Sequence, residues 1–409
     1  MSRLPSRNGT MKLRPSPSLL CALVAWASAC GSSSSKPVTV TAPPPPIDLT
    51  KVVAVTVNPP TLSGGLASSF QYSAVQKNAN GDSVAGQALA WKSSDTTIVT
   101  VSGTGLARGV GIGSATVTAT AAGVSGNAAA NIALYPNQPA NLARLAEDDF
   151  AAFPGVAGVL GTLAGNFFSQ QSPSTHMSIV SDPTALVAPK SALQVDFEQG
   201  TVAGYETATG YRQFGGWDGP NLLSNTEYSE YYESTMFKIP TPDFETQAVG
   251  VKILGYWGVG NNNQSLATGT GPTDLYAVMR GSGKGTSIMS SWNLDMYTQG
   301  ISTTVLPQNM NLSTKITAGT WHQFETYMKL NTIGQSNGIW KWWLDGVLIG
   351  DYENMQFINA SHSSGFWGRY MNLVWGGQGG TPKTRTDYIW FGHMYMSGVF
   401  LRAAAPCGC

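Results

Sequence analysis

Between Trp321 and Leu330 the chain alternates its side-chain character with a two-residue period. His322, Phe324, Thr326, Met328 and Leu330 fall on one side, and Trp321, Gln323, Glu325, Tyr327 and Lys329 on the other. That period belongs to a pleated strand rather than to a helix, whose faces repeat every 3.6 residues. The first side is expected to be core and the second a wet surface. After a polar connection (331–338), the run from Ile339 to Leu344 resumes in extended form, and Asp345-Gly346 is a strong tight-turn signal. The stretch predicts an antiparallel meander with aromatic side chains on both faces.

The rest of the chain is compatible with the same architecture. Only 11% of its residues are charged, against roughly 25% in an average soluble domain. Ser, Thr, Asn, Gln and Gly must therefore solvate the surface, and 47 glycines among many β-branched residues predict an all-β protein rich in turns. The 409 residues are enough for two or three domains. The 23 basic residues include Arg3, Arg7, Lys12 and Arg14, which lie in an N-terminal stretch without acids. Without them, 19 basic face 23 acidic residues, a net charge of −4 with no basic patch to suggest nucleic acid as a partner.

That N-terminal stretch (1–29) has a basic start, an apolar run from Leu19 to Ala25, and then Ala27-Ser28-Ala29-Cys30. It reads as a signal peptide, with Met11 as an alternative start. The apolar run is shorter than the roughly 20 residues a spanning helix needs. Ala27 to Cys30 resembles the lipobox of bacterial lipoproteins, which implies a diacylated Cys30, a membrane partner through the lipid, and a place in the bacterial cell envelope. Gly31, where an inner-membrane retention signal would carry aspartate, implies the outer membrane or cell surface. The alternative is an ordinary secretory signal cleaved near the same alanines. Cys407 and Cys409 lie too close together for an unstrained disulfide, and no histidine or second cysteine pair near them suggests a metal.

Residues 30–50 are first Ser-rich and then Pro-rich, a flexible piece followed by a stiff spacer. From 51 to 134 short alternating runs separated by glycines predict a small sandwich. Val55-Thr56-Val57-Asn58-Pro59, Asn80-Gly81-Asp82, Trp91-Lys92-Ser93-Ser94-Asp95, Val99-Thr100-Val101, Gly105 and Gly113 to Ala119 together resemble the bacterial Ig-like group 2 domain. The resemblance implies that Trp91 is a buried core aromatic and that the domain serves as a spacer or adhesive module. Residues 135–150 read as a linker with a short helical turn from Leu142 to Glu147. A large domain is expected over 151–400, with strands at Ala192 to Phe197, Tyr231 to Ile239, Ala248 to Leu254, Leu275 to Arg280, Trp321 to Leu330, Ile339 to Leu344 and Tyr388 to Met396, followed by a tail at 401–409. This strand number suits a two-sheet jelly roll, one sheet of which curves into a groove.

Trp321, the Trp342-Trp343-Leu344-Asp345-Gly346 hairpin, Trp375-Gly376-Gly377 and Asp387 to Trp390 resemble the concanavalin A-like lectin and glucanase superfamily. More narrowly, Val251 to Gly258 is similar to a stretch that precedes the groove in the alginate and glucuronan lyases of polysaccharide lyase families 14 and 20. This resemblance implies an all-β fold, a small Ig-like sandwich followed by a concanavalin A-like jelly roll, with a polysaccharide as partner. A lyase must neutralise a uronate carboxylate and remove the C5 proton with a base. The resemblance offers Lys252, Tyr276 and Arg280 for those roles. It also places Ile288-Met289-Ser290, after Gly283-Lys284-Gly285, where a pair of tyrosines is expected.

A glycoside hydrolase would need two carboxylates in register. Glu227, Glu230 and Glu233 are spaced by three, cannot line one strand face, and are read as solvated surface. His176, His322, His362 and His393 lack metal-ligand spacing, so no cofactor is expected; a structural calcium stays open, without support in the sequence. Sugar rings stack their C–H faces on indole and phenol, which makes Trp217, Tyr256, Trp257 and Trp343 candidates. Glu325, Tyr327, Lys341 and Trp343 share the polar parity of their strands and are expected on the curved sheet. Trp91, Trp321, Trp340 and Trp390 are expected in the core. Three functions remain open: a surface lipoprotein presenting a glycan-binding jelly roll on an Ig-like stalk, a lyase acting on a uronate polymer by β-elimination, and a purely adhesive or structural envelope protein.

Overall fold

Apolar residues on alternate positions pull two layers together in each half of the chain. The computed structural model describes residues 47–84, 87–150, 168–171, 177–201, 212–214, 227–247, 250–259, 273–280, 286–299, 311–360, 363, 365–370, 373–376 and 381–402. The signal segment, Cys30, most of the tether, Trp217, His176, His362, most of the glycine-rich loop after Gly258, and the terminal cysteines lie outside them. All named elements are strands.

In the N-terminal sandwich, strand Gly113–Ala121 pairs antiparallel with Val124–Ala133. The same sheet contains Ala90–Ser93 and Thr61–Gly65, the latter parallel to Val124–Ala133. A three-stranded sheet (Ser69–Gln71, Leu106–Gly109, Val99–Val101) and the pair Ala54–Asn58 with Ser73–Lys77 complete it. Val55, Val57, Val99, Ala107, Val117, Ala119, Ala130 and Ile132 are buried on alternate positions, which builds the core from small side chains. Trp91 packs against that core only half-buried.

The large sandwich has a back and a front sheet. The back runs Met177–Ser181, Ser191–Phe197, Asp387–Arg402, Glu227–Lys238, Trp321–Lys329, Gly338–Leu344 and Val347–Met355. The front runs Phe168–Gln171, Arg212–Phe214, Phe366–Tyr370, Val251–Val259, Thr273–Arg280 and Ser291–Gln299. Among the described residues the sheets touch through one backbone pair, Tyr228 with Phe366. Leu193, Phe237, Phe324, Met328, Trp340, Trp342, Ile389 and Phe391 from the back meet Val251, Ile253, Trp257, Met279, Leu294 and Met296 from the front. The protein is all-β, an Ig-like sandwich followed by a jelly-roll sandwich.

The expected strands form, and two local expectations are overturned. Ala143–Asp148 is not a helical turn but a strand pairing with Asp387–Arg402, because its alternation completes the back sheet. Glu233 is not solvated. It is fully buried between the sheets, where Arg369 neutralises it.

Candidate functional site

The outer faces of the two sheets differ in what lies over them. On the front sheet, Trp292, Leu294 and Met296 are buried while Ser291, Asn293 and Asp295 between them are half-exposed. Lys252 is half-exposed between buried Val251 and Ile253. Two-residue alternation therefore gives this sheet one core face and one open face. Cross-strand register carries the open positions from strand to strand, because residues opposite one another occupy the same face.

Lys252 is opposite Val278, and Val278 is opposite Asp295. One step along, Arg280 is opposite Asn293. One step the other way, Tyr256 is opposite Tyr276, and Tyr276 is opposite Tyr297. The Tyr256 row continues to Tyr370, Gln213 and Gln170 across three more strands. A row over six strands measures about 24 Å at the usual spacing of ~4.8 Å. The tyrosine row is brought into line by a bulge in which the four-residue step from Lys252 to Tyr256 opposes the two-residue step from Val278 to Tyr276. Gly255 sits within it at φ 80°, a left-handed conformation that side chains resist.

Beneath this row, Arg369 faces the core beside Tyr370. Its Nε and Nη2 donate to Glu233 Oε2 at 2.6 Å and Oε1 at 2.8 Å, and the guanidinium stacks 4.4 Å from the Trp257 ring. Tyr231, Thr235 and Trp257 Nε1 donate to the same carboxylate. Burial pushes the Glu233 carboxyl up, but the Arg369 charge and these donors outweigh it and hold it below the usual range. A satisfied ion pair thus ties Phe366–Tyr370 on the front to Glu227–Lys238 on the back.

The expected site residues separate into two groups. The register brings Lys252, Tyr256, Tyr276 and Arg280 to neighbouring positions of the open face. Tyr256, Tyr276 and Arg280 are described by backbone position alone. Trp257 is corrected: one residue from Tyr256, it points to the core and is 1% exposed, closed to any sugar. Ile288-Met289-Ser290 does not adjoin Lys252, since Thr286–Met289 pairs with Phe244–Gln247 and the next strand, Ser291–Gln299, lies beside Thr273–Arg280. Asn293, Asp295, Tyr297 and Tyr370 were therefore missed, although the alternation of Asn293-Leu294-Asp295-Met296-Tyr297 carried the signal. Among the described residues no cluster of three His, Cys, Asp or Glu has metal-ligand geometry.

Glu325, Tyr327, Lys341 and Trp343 do share one face, with Glu325 opposite Trp343 and Tyr327 opposite Lys341. It is the outer face of the back sheet. The expected groove and wet surface are corrected there, because other parts of the chain cover it. Glu325 is fully buried, accepting from Tyr232 Oη at 2.5 Å and Asn137 Nδ2 at 2.7 Å. Burial raises its pKa despite those donors. Tyr327 donates to Glu230, and Lys341 reaches Asp351 and Glu353. His322 is held by Asp345, and His393 by Glu147. Trp343 remains half-buried.

Residues 51–132 match the bacterial Ig-like domain (group 2). This Ig-like domain does not behave as a detached spacer. Arg108 Nη2 donates to the Trp321 carbonyl at 3.1 Å, and Gln323 Nε2 donates to the Leu134 carbonyl at 2.7 Å. Trp321 and Met236 join the Ig-like apolar cluster. Gly65 comes so close that a Cβ there would collide with Gln323 Oε1 and Pro136. The following segment lays Tyr135 on Tyr395, ring centroids 3.7 Å apart.

No curated protein matches the chain. Solved structures similar to it include a marine family 14 alginate lyase from Aplysia kurodai, 14% identical, with a TM-score of 0.43 over 62% of this chain and 98% of that one. An endo-β-1,4-glucuronan lyase from the fungus Trichoderma reesei is 13% identical, with a TM-score of 0.37 over 65% of this chain and 100% of that one. An alginate lyase from a Chlorella virus is 12% identical, with a TM-score of 0.39 over 57% and 94%.

Proposed function

We propose that the front sheet binds an acidic polysaccharide across its strands and cleaves it by β-elimination. The observation that carries this reading is the register: the cationic position Lys252 lies one alternation step from the Tyr256, Tyr276 and Tyr297 row, and Arg280 lies one step beyond it, on the open face. A uronate presents a carboxylate beside an acidic C5–H. A cation or amide (Lys252, Arg280 or Asn293) stabilises the charge that develops on that carboxylate as the proton leaves. A phenolate, from Tyr276 or a row neighbour, accepts the C5 proton. The C4–O bond then breaks, a C4=C5 double bond forms, and O4 departs with the proton that the newly formed phenol returns. Because the row crosses six strands, the reading favours a polymer, gripped on both sides of the reacting sugar, over a monosaccharide. Glycan presentation without chemistry is the competing outcome.

The test is incubation of the full chain with alginate, glucuronan and related polyuronates at several pH values. The expected result is rising near-ultraviolet absorbance from the unsaturated uronide, lost in Lys252→Ala and Tyr276→Phe. Uronate binding without absorbance would leave a binding module, and neither binding nor absorbance would remove the function from this face.

The reading also places the protein outside the cytoplasm of a bacterium, supported by the match to the bacterial Ig-like domain and by the signal-like segment ending at Cys30. Acylation there is tested by labelled palmitate. Label should enter the wild type and not Cys30→Ser, and an unlabelled wild type in the medium would mean simple secretion.

A further inference from the structure

Where the Ig-like domain meets the Asp345-Gly346 turn of the large sandwich there is a cleft of about 710 Å³. That size lies in the range of roughly 300–1,000 Å³ common to small-ligand sites, which favour domain junctions. Ser69, Phe70, Ser114 and Asn131 come from the Ig-like strands, Asn137 from the connecting segment and Asp345 from the turn. Neither domain makes the cleft alone. The bonds from Arg108 to Trp321, Gln323 to Leu134 and Asn137 to Glu325 hold its two sides together.

The lining fixes the charge of what fits. Among the described residues no lysine, arginine or histidine borders the cleft, so an anion finds no counter-charge there. Asp345 is the sole ionisable lining group among the described residues, and that carboxylate is already spent on His322 Nδ1 at 2.7 Å and the Gln323 amide at 2.9 Å. The remaining polar groups are neutral and only partly used. Ser114 Oγ donates to Asn131 Oδ1 at 2.8 Å, which leaves both Asn131 amide protons to donate. Asn137 Nδ2 is committed to Glu325, which leaves its Oδ1 to accept. Beside them sit the half-buried Phe70 ring and exposed Ile112. Donors and acceptors interleaved with an aromatic ring suit a ligand that has hydroxyls at its edge and C–H groups on its faces.

We propose that this cleft is a second carbohydrate site, selective for a neutral hexose oligosaccharide and separate from the cationic positions of the front sheet. It would keep the protein on a neutral glycan while the front sheet engages an acidic one. Since the ligand contacts both domains, binding also stabilises their docked arrangement.

The test is calorimetric titration of the full chain with gluco-, manno- and galacto-hexaoses, and with an oligouronate as the charged control. At least one neutral hexaose should bind. Ser69→Trp, which fills the cleft from an exposed position, should weaken it at least tenfold, as should Phe70→Ala, while Lys252→Ala retains it. Ser114→Arg serves as a second filling variant if Ser69→Trp lowers the melting temperature. The proposal is overturned if no neutral hexaose binds, if only the oligouronate binds, or if binding survives both filling variants or is lost in Lys252→Ala. None of these outcomes depends on whether the front sheet cleaves its polymer.

Discussion

The outer faces of the two sheets of the large sandwich are built from similar residues and differ in how deeply those residues are buried. The back carries Tyr232, Glu325, Tyr327 and Lys238, and the front carries Tyr256, Tyr276, Asp295 and Lys252. On the back each group is committed inside the fold: Tyr232 to Glu325, Tyr327 to Glu230, and Lys238 to Asp182 at 2.7 Å. On the front, Lys252, Asn293 and Asp295 remain half-exposed. Polar residues at the outward parity of a strand therefore mark a surface that avoids the core. They do not say whether solvent, a ligand or a second domain lies over it.

Substitutions can break this division, and they are taken in order of their expected effect on stability. The largest effect falls between the sheets. Arg369→Met leaves Glu233 buried and unpaired, which should cost about 3–5 kcal/mol in denaturant unfolding. Adding Glu233→Gln should recover part of it. If the single variant is as stable as wild type, the pair does not tie the front sheet to the back.

Next comes docking of the Ig-like domain. Gly65→Val forces a side chain into Gln323 and Pro136, an overpacking cost of about 1–3 kcal/mol. Limited proteolysis within 135–142 should accelerate while uronate cleavage persists. Unchanged proteolysis would mean that the connecting segment is protected without the docked domain.

A smaller effect comes from Glu325. Its folded pKa is raised above the unfolded value of about 4.3. The stability linked to it is therefore fully present below that value and is lost as pH rises through the folded pKa. Glu325→Gln keeps the neutral form at every pH, so its stability relative to wild type should improve as pH rises from 4 to 8. A difference that does not vary with pH would contradict the burial argument. Glu147 has the opposite sign: the His393 hydrogen bond leads the causes that lower it to about 2, so its contribution is present above the unfolded value and is lost on acidification.

The smallest effect on stability belongs to the open face. Lys252→Ala should change unfolding free energy by no more than about 0.5 kcal/mol while abolishing the unsaturated product. A large loss of stability with activity retained would make Lys252 a structural residue.

Much of the architecture was legible because alternation is a local property. Trp321 to Lys329 announced a strand with His322, Phe324 and Met328 inward, and that is how the strand packs. What alternation cannot carry is the identity of the partner strand. Glu325 and Trp343 were rightly grouped on one face, but nothing local distinguished the covered back sheet from the open front. Ser291–Gln299 lies beside Thr273–Arg280 only because the preceding strand, Thr286–Met289, pairs elsewhere. A gap in sequence cannot reveal that detour. The burial of Glu233 depends on an arginine 136 residues away, and the buried Glu325 is met by Asn137 of the connecting segment, 188 residues away.

The division of labour between the two faces is tested most directly by hydrogen exchange of the full chain with and without a saturating oligouronate. Protection should rise in Val251–Val259, Thr273–Arg280 and Ser291–Gln299, and should leave Trp321–Lys329 and Gly338–Leu344 unchanged. Protection confined to those two back-sheet strands, or none in any strand, would contradict the assignment of the front sheet as the working face.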